Sequence, residues 1–465
     1  MTIKGREVTP AQLNSYRKFN KAITDDETTF ITLRAEDFAS AETSDNSEAR
    51  EFYKQGGEAW RRNDLPQAAI FYQKALEKDP KFAGPMYWLG AAHVAMGEAN
   101  RGIEEMKKSI SLDPTQVNNY DYLCSTLVRH HRENEALDLW KQLLKINPDA
   151  SQALENEVRL LFSLERYSEA ISELEAAVLR YPDVPRIGLE LGQAYAYTGN
   201  SEKSIAAFEK VVEADSSALT LNNVAYALAD NNIHLDDALK YAQKAVAGIE
   251  EKTADISLDD LLPDDIHTPD VLAAYWDTLG WIHFRLGHFE MAEKYLHAAW
   301  LTNQASTIGD HLGQAYEKLD RKHDAMVVYS AVLSAGHASA ETKARLDAVR
   351  SNDRRASGGS VPESSLQDMR TYKLGRLSKT HTTAEFYVLM KPAGKPPDVK
   401  FISGSEDLRT ATKAIGALKF NVLFPDPAET QILRRGILDC EPELPGCVFV
   451  LIPPSSVQFT KLPGS

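Results

Sequence analysis

The sequence predicts a mainly α chain, a solenoid of about eight helix-pair repeats followed by a small α+β domain. Three observations carry that expectation. Pro80, Pro114, Pro148 and Pro182 stand at 34-residue intervals, each closing a segment that reads as two short amphipathic helices. Inside these segments, small and bulky residues recur at fixed sites. Beyond a stretch rich in Ser, Gly, Asp and Arg, the apolar period changes from helical to extended.

Helix crossings at this period demand small residues where backbones approach. Counting each repeat from residues 49, 83, 117, 151 and 185, the close-approach site of the first helix reads Gly56, Gly90, Cys124, Val158 and Gly192, all small but Val158. The second helix presents Ala68, Gly102, Ala136, Ala170 and Ser204. One turn later come Tyr72, Met106, Trp140, Leu174 and Phe208, on the same face by i, i+4 spacing. Gly97 and Gly199 suit a turn with φ > 0, and each closing Pro stops the second helix. The pattern resembles the tetratricopeptide repeat, which implies a right-handed α-solenoid of about eight such units over residues 46–350, followed by the small α+β domain. It also implies an extended binding surface.

The register continues past Pro182, although Ser216 replaces the next closing Pro. A sixth unit reads Leu221, Val224, Ala225 and Leu228, then Ala238, Tyr241 and Ala245, with one extra residue near Asn231-Asn232. A seventh is marked by Trp276-Asp277-Thr278-Leu279-Gly280-Trp281, and an eighth by Leu312-Gly313-Gln314-Ala315-Tyr316. An acidic insertion near 247–269 separates the sixth and seventh, with Glu250, Glu251, Asp255, Asp259, Asp260, Asp264 and Asp265 against Lys252. It lacks the Gly and terminal Glu of a calcium loop. It reads as a solvated loop, with a contact for a basic partner as the alternative.

Residues 1–45 are not a repeat. Thr9-Pro10 opens a helix with Leu13, Tyr16, Phe19 and Ile23 on one face, and the stretch 29–33 reads as a short extended segment. No apolar core of a secretory signal follows Met1. The opening, with Leu221-Asn222-Asn223-Val224-Ala225-Tyr226 and Ala273-Ala274-Tyr275-Trp276, resembles bacterial proteins that join a transglutaminase-like region to such an array. That resemblance implies an alternative role, as the accessory portion of a larger enzyme whose catalytic domain lies upstream or on another chain.

Residues 340–349 continue as a capping helix, and 351–380 read as a flexible linker with a Ser-Gly-Gly-Ser run at 357–360. In the final domain, 381–457, strands are expected at 384–390, 399–402, 431–438 and 448–452, with a helix over 408–418. The run Gly404, Leu408, Ala411, Ile415, Phe420, Phe424-Pro425, Ile432, Arg434-Arg435-Gly436 resembles the C-terminal domain of TonB, which implies a βαββ module over 396–455. Cys440 and Cys447 flank the turn of one hairpin. They pair as a disulfide or remain two thiols near its end. Pairing points to an oxidising space such as a bacterial periplasm, in a chain truncated at its start, and otherwise the cytoplasm is expected. Cys124, at a close-packing site, reads as a small core residue.

Chemistry is sparse. There is no His-Glu-x-x-His, no phosphate loop and no Gly-x-Ser-x-Gly. His283, His288, His297 and His311 do not share a helical face and read as structural. No catalytic, cofactor-binding or metal residue is expected, and therefore no cofactor. The chain carries 52 Lys or Arg against 67 Asp or Glu, and the excess of acid lies before residue 366, which speaks against nucleic acid as a partner. No run is long and apolar enough to span a bilayer.

Binding is therefore the expected function, with a protein or an extended peptide as the partner. In tetratricopeptide arrays the concave face uses first-helix positions 2, 5, 9, 12 and 13. Here these supply Tyr53, Trp60, Arg61, Tyr87, Arg129, Arg159, Phe162, Tyr197, Trp281, Phe284 and Arg285. About half of the rings are expected to pack between helices instead. The Lys and Asn pattern that clamps a terminal carboxylate is absent, because positions 5 and 9 read Tyr53 and Gly57, Tyr87 and Ala91, Asp121 and Ser125.

Overall fold

The computed structural model describes residues 2–3, 6–7, 44–182, 184–334, 339–352, 366, 368–392, 395–425, 430–441 and 446–454. The helix expected from Thr9-Pro10, the stretch 29–33 and the run at 357–360 lie outside them. The chain forms two compact units, Met1–Tyr181 and Pro182–Ser465.

Among its described residues the first unit holds four helix pairs: α1 (Ser47–Arg61) with α2 (Leu65–Lys78), α3 (Ala83–Ala95) with α4 (Ala99–Leu112), α5 (Val117–Arg129) with α6 (Glu133–Ile146), and α7 (Ser151–Ser163) with α8 (Tyr167–Arg180). Four more pairs open the second unit: α9 (Pro185–Tyr197) with α10 (Ser201–Ala214), α11 (Ala218–Asp230) with α12 (Leu235–Ala254), α13 (Thr268–Arg285) with α14 (Phe289–Thr302), and α15 (Ser306–Lys318) with α16 (Lys322–Ser334). A last helix, α17 (Ala340–Asn352), packs on α16. A Cβ on Gly56 would lie 2.4 Å from the ring of Tyr72, and one on Gly313 2.2 Å from that of Tyr329. In these pairs the bulky residue of the second helix fills the space that the small residue of the first leaves open.

The turn within each pair is fixed by the repeat more than by glycine. Asn63, Gly97, His131, Glu165, Gly199, Asn232, Gly287 and Asp320 all have positive φ, and all occupy the fifteenth repeat position. The links between pairs share a second device. Asp79, Asp113, Asn147 and Asp215 each accept a hydrogen bond from the backbone N–H two residues on, at 3.1, 3.1, 3.2 and 2.9 Å. Such side-chain turns reverse the chain cheaply. Asp215 is extended although Ser216, not Pro, follows it, so the turn survives the missing proline.

The last part of the second unit is a five-stranded antiparallel sheet in the order β3-β7-β6-β4-β5. Its strands are β3 (Thr371–Leu374), β4 (Thr382–Met390), β5 (Asp398–Gly404), β6 (Ile432–Cys440) and β7 (Cys447–Leu451); β1 (Thr2–Ile3) and β2 (Arg6–Glu7) form a separate pair. β3 lies within the stretch expected as linker over 351–380, so the sheet begins at 371 and not at 381. Four residues are too few to show a period. The helical segment is shorter than expected, a 3-10 turn over Glu406–Ala411 running into α18 (Thr412–Gly416). Strand, helical segment, strand and strand do follow one another over 396–455, inside a sheet with two further strands.

The acidic insertion is not a solvated loop. α12 extends to Ala254, Ile256 and Leu258 are buried, and a 3-10 turn at Pro263–His267 leads into α13. Ile256, Leu258 and Ile266 pack with Tyr387, Leu389 and Leu433 of the sheet. The opposite face of β4, with Phe386, Val388 and Met390, packs with Leu408, Ala411, Ile415 and Phe449. β4 is thus covered on both faces, which explains its unbroken apolar run. Glu251, Asp255, Asp259, Asp260 and Asp264 stay exposed, as their charge requires.

Polar contacts fix this docking. Gln431 donates to the carbonyl of Ala254 at 2.6 Å, and Lys400 donates to that of Leu258 at 2.5 Å. Arg434, 4% exposed, donates to the carbonyls of Thr302 at 2.9 Å and Ile452 at 3.1 Å. Burial, with Arg370 nearby and opposed by Asp270, lowers its pKa to about 10, so it remains charged at neutral pH. Burial raises Asp270 to about 6, against the pull of Arg434 and of Asn303, which donates to it at 2.8 Å. Arg434→Ala should therefore cost about 3–5 kcal/mol in the stability of the second unit, read from the urea midpoint. A loss under about 1 kcal/mol would show that the guanidinium does not hold the sheet in place.

Cys440 and Cys447 are cross-strand partners of β6 and β7 and are joined by a disulfide. Cys124 is free and buried. Alkylation of urea-unfolded chain without reductant should modify one cysteine, Cys124, in intact-mass analysis; three modified cysteines would refute the pairing.

Candidate binding face of the first helices

The first unit carries seven of the residues expected on the binding face. Arg61, Arg129 and Arg159 are exposed, and Trp60 and Phe162 are half-buried. Tyr53 and Tyr87 are instead buried: Tyr53 packs against Tyr72 and Phe82 at ring distances of 5.9 and 5.1 Å, and Tyr87 against Trp88 at 5.6 Å. Their size fits the gaps between neighbouring helices better than open solvent. Trp60 meets Trp88 of the next repeat edge-on at 5.2 Å. Arg129 lies over the Tyr122 ring and donates to Thr126 Oγ1 at 3.1 Å, while Arg159 pairs with Glu155 at 2.9 Å. Both guanidinium groups remain at the surface, where such local partners bind weakly.

In the second unit Tyr197 is exposed, Phe284 and Arg285 are half-buried, and Trp281 is buried. Trp281 stacks between Phe284 at 4.8 Å and His311 at 4.1 Å, which makes it a packing element. His311 Nδ1 lies 3.0 Å from Asp277 Oδ1, a buried pair that ties α15 to α13. Burial opposes its charge, but Asp277, with Asp310 and Asp230 beyond it, holds the His311 pKa above the usual value. His283 stacks on Tyr295 at 5.8 Å. Sequence spacing along one helix could not reveal the Asp277–His311 pair, which joins residues 34 apart in neighbouring repeats.

Glu157 is a further residue that the pattern did not single out. It occupies the repeat position filled by Leu89, Leu123 and Leu191 in other units, is fully buried, and both carboxylate oxygens lack a hydrogen-bond partner. Burial raises its pKa to about 7, helped by Glu173 and Glu169 and opposed by Lys141. Among the described residues, one cluster has the composition of a metal site: His381, Asp439 and Glu441. No metal residue was expected from the sequence, because this cluster forms only across strands.

Comparison with known proteins agrees with the helix pairs. Two models of the Tetratricopeptide repeat family match, one over residues 125–185 and the other over 83–116, 189–217 and 273–299. The chain carries tetratricopeptide repeats. Neither model concerns a transglutaminase-like protein or TonB. Hsp70-Hsp90 organizing protein 1 of Glycine max is 24% identical over 170 residues, which are 35% of this chain and 29% of that protein. The chain thus matches less than a third of that relative's length. Among solved structures, yeast Tom70 is 16% identical with a TM-score of 0.41, covering 77% of each chain. YrrB, described as a TPR protein with an unusual peptide-binding site, is 21% identical with a TM-score of 0.31, covering 42% of this chain and 98% of that one.

Glu157 gives this tetratricopeptide array a pH-dependent weakness. Its folded pKa of about 7 exceeds the 4.5 usual for a glutamate, so the folded state holds a proton that the unfolded state has lost, and stability falls as pH rises through that window. Glu157→Leu should stabilise the first unit, and its advantage over the parent should be larger at pH 8 than at pH 5 by about 2–3 kcal/mol. Paired urea titrations at the two pH values measure this. An advantage independent of pH would mean that Glu157 is not titrating in the fold.

Proposed function

We propose that the chain is a non-catalytic interaction scaffold that holds an extended peptide or partner protein along its first-helix face. The observation that carries this reading is that Arg129 on α5 and Arg159 on α7, in successive repeats, are both exposed, and that Phe162, one turn beyond Arg159, is half-buried. Rings for apolar side chains and guanidinium groups for carboxylates are the residue types that dominate protein recognition. The ligand's acidic side chains meet the arginines, and its apolar ones meet Trp60 and Phe162. A terminal carboxylate is not the anchor, because Tyr53 and Tyr87 fill position 5 and are buried. Cys124, the free thiol, is buried, and burial pushes its pKa up, which removes it as a nucleophile. Among the described residues no helix is long and apolar enough to cross a membrane.

Arg129→Glu with Arg159→Glu should weaken a partner captured by the parent chain at least about tenfold, given roughly 1.5–3 kcal/mol for each charge-assisted hydrogen bond, with unchanged helicity by circular dichroism. Equal capture by the double variant would move the site off this face.

A further inference from the structure

We propose that His381, Asp439 and Glu441 form a divalent-metal site, suited to zinc, where β4 begins and β6 ends, beside the Cys440–Cys447 disulfide. The register of β4 and β6 assembles it. Thr383 faces Asp439 and Thr382 faces Cys440, so His381, one residue before β4, comes opposite Glu441. Alternate residues of a strand point to one face, and directly paired residues share that face. The imidazole and the two carboxylates therefore project together, while Cys440 points to the other side.

The distances fit coordination better than an ion pair. His381 Nε2 lies 3.3 Å from Asp439 Oδ1 and 3.2 Å from Glu441 Oε1, and the three atoms are within 4.8 Å of one another. Zinc binds such atoms at about 2.0–2.2 Å in a tetrahedron, which sets them roughly 3.3–3.5 Å apart. Two edges of that tetrahedron are already in place. The third closes by rotation of exposed side chains, and water takes the fourth position. One proton on Nε2 serves two oxygens poorly at these separations. Asp439 Oδ1 is buried and has no hydrogen-bond partner despite its closeness to the imidazole. A divalent cation supplies that missing partner. It also balances two carboxylates, where an imidazolium balances one. Imidazole with carboxylates is a donor set that suits zinc.

The test uses the full chain with its disulfide intact, stripped by chelator and titrated with zinc chloride at pH 7.5 in a calorimeter. The expected result is one equivalent bound with Kd below about 10 μM, lost in His381→Ala and weakened at least about tenfold in Asp439→Asn, with the parent's circular dichroism retained. Zinc held elsewhere, for example between His283 and His288, survives these substitutions, so the equivalent lost is the one counted. Identical isotherms for parent and His381→Ala, or no saturation below about 1 mM, would overturn the site and leave a histidine–carboxylate contact.

Discussion

The structure depends on one steric constraint: most helix pairs close where a small residue on one helix meets a large one on the other. Gly56 against Tyr72, Gly192 against Phe208 and Gly313 against Tyr329 are repeated instances, and a methyl group at any of these glycines would overlap a ring. Neighbouring pairs then bury what a single pair leaves open, so stability is shared along the array. Everything exposed on the first helices, including Arg129 and Arg159, is placed by this packing and carries none of it.

The C-terminal sheet obeys a different constraint. β4 is apolar on both faces, and one cover is not enough. α18 and its 3-10 turn serve one side, and the insertion between the sixth and seventh repeats serves the other. Arg434 crosses this junction as a buried charge whose hydrogen bonds go to carbonyls on both sides. Such a group adds little net stability but is costly to leave unmade, which favours a single docked arrangement over alternatives.

The repeats were legible because their signal is local and recurs: proline, a small residue and a ring at fixed spacings. The turns were legible only in part. Gly97 and Gly199 announce positive φ, whereas His131 and Glu165 adopt it because the repeat requires it. The insertion was misread because its carboxylates outnumber Ile256, Leu258 and Ile266, although those three determine where it packs. β3 was too short to read. On the proposed binding face, residue type grouped Tyr53, Tyr87 and Trp281 with the arginines, but rings also fill gaps, and burial separates the two uses. His381 with Asp439 and Glu441, and Asp277 with His311, are cross-element pairs that no linear spacing encodes.

The insertion has a consequence for biosynthesis. Ile256, Leu258 and Ile266 leave the ribosome well before Tyr387, Leu389 and Leu433, the residues that will cover them. At about 5–20 residues per second, the wait from the insertion to the last strand is roughly 10–40 s. During that interval the sixth and seventh repeats can fold, yet they display a bare apolar ledge rimmed by Asp255, Asp259, Asp260 and Asp264. Like charge around an apolar ledge disfavours the approach of a second chain before the sheet arrives.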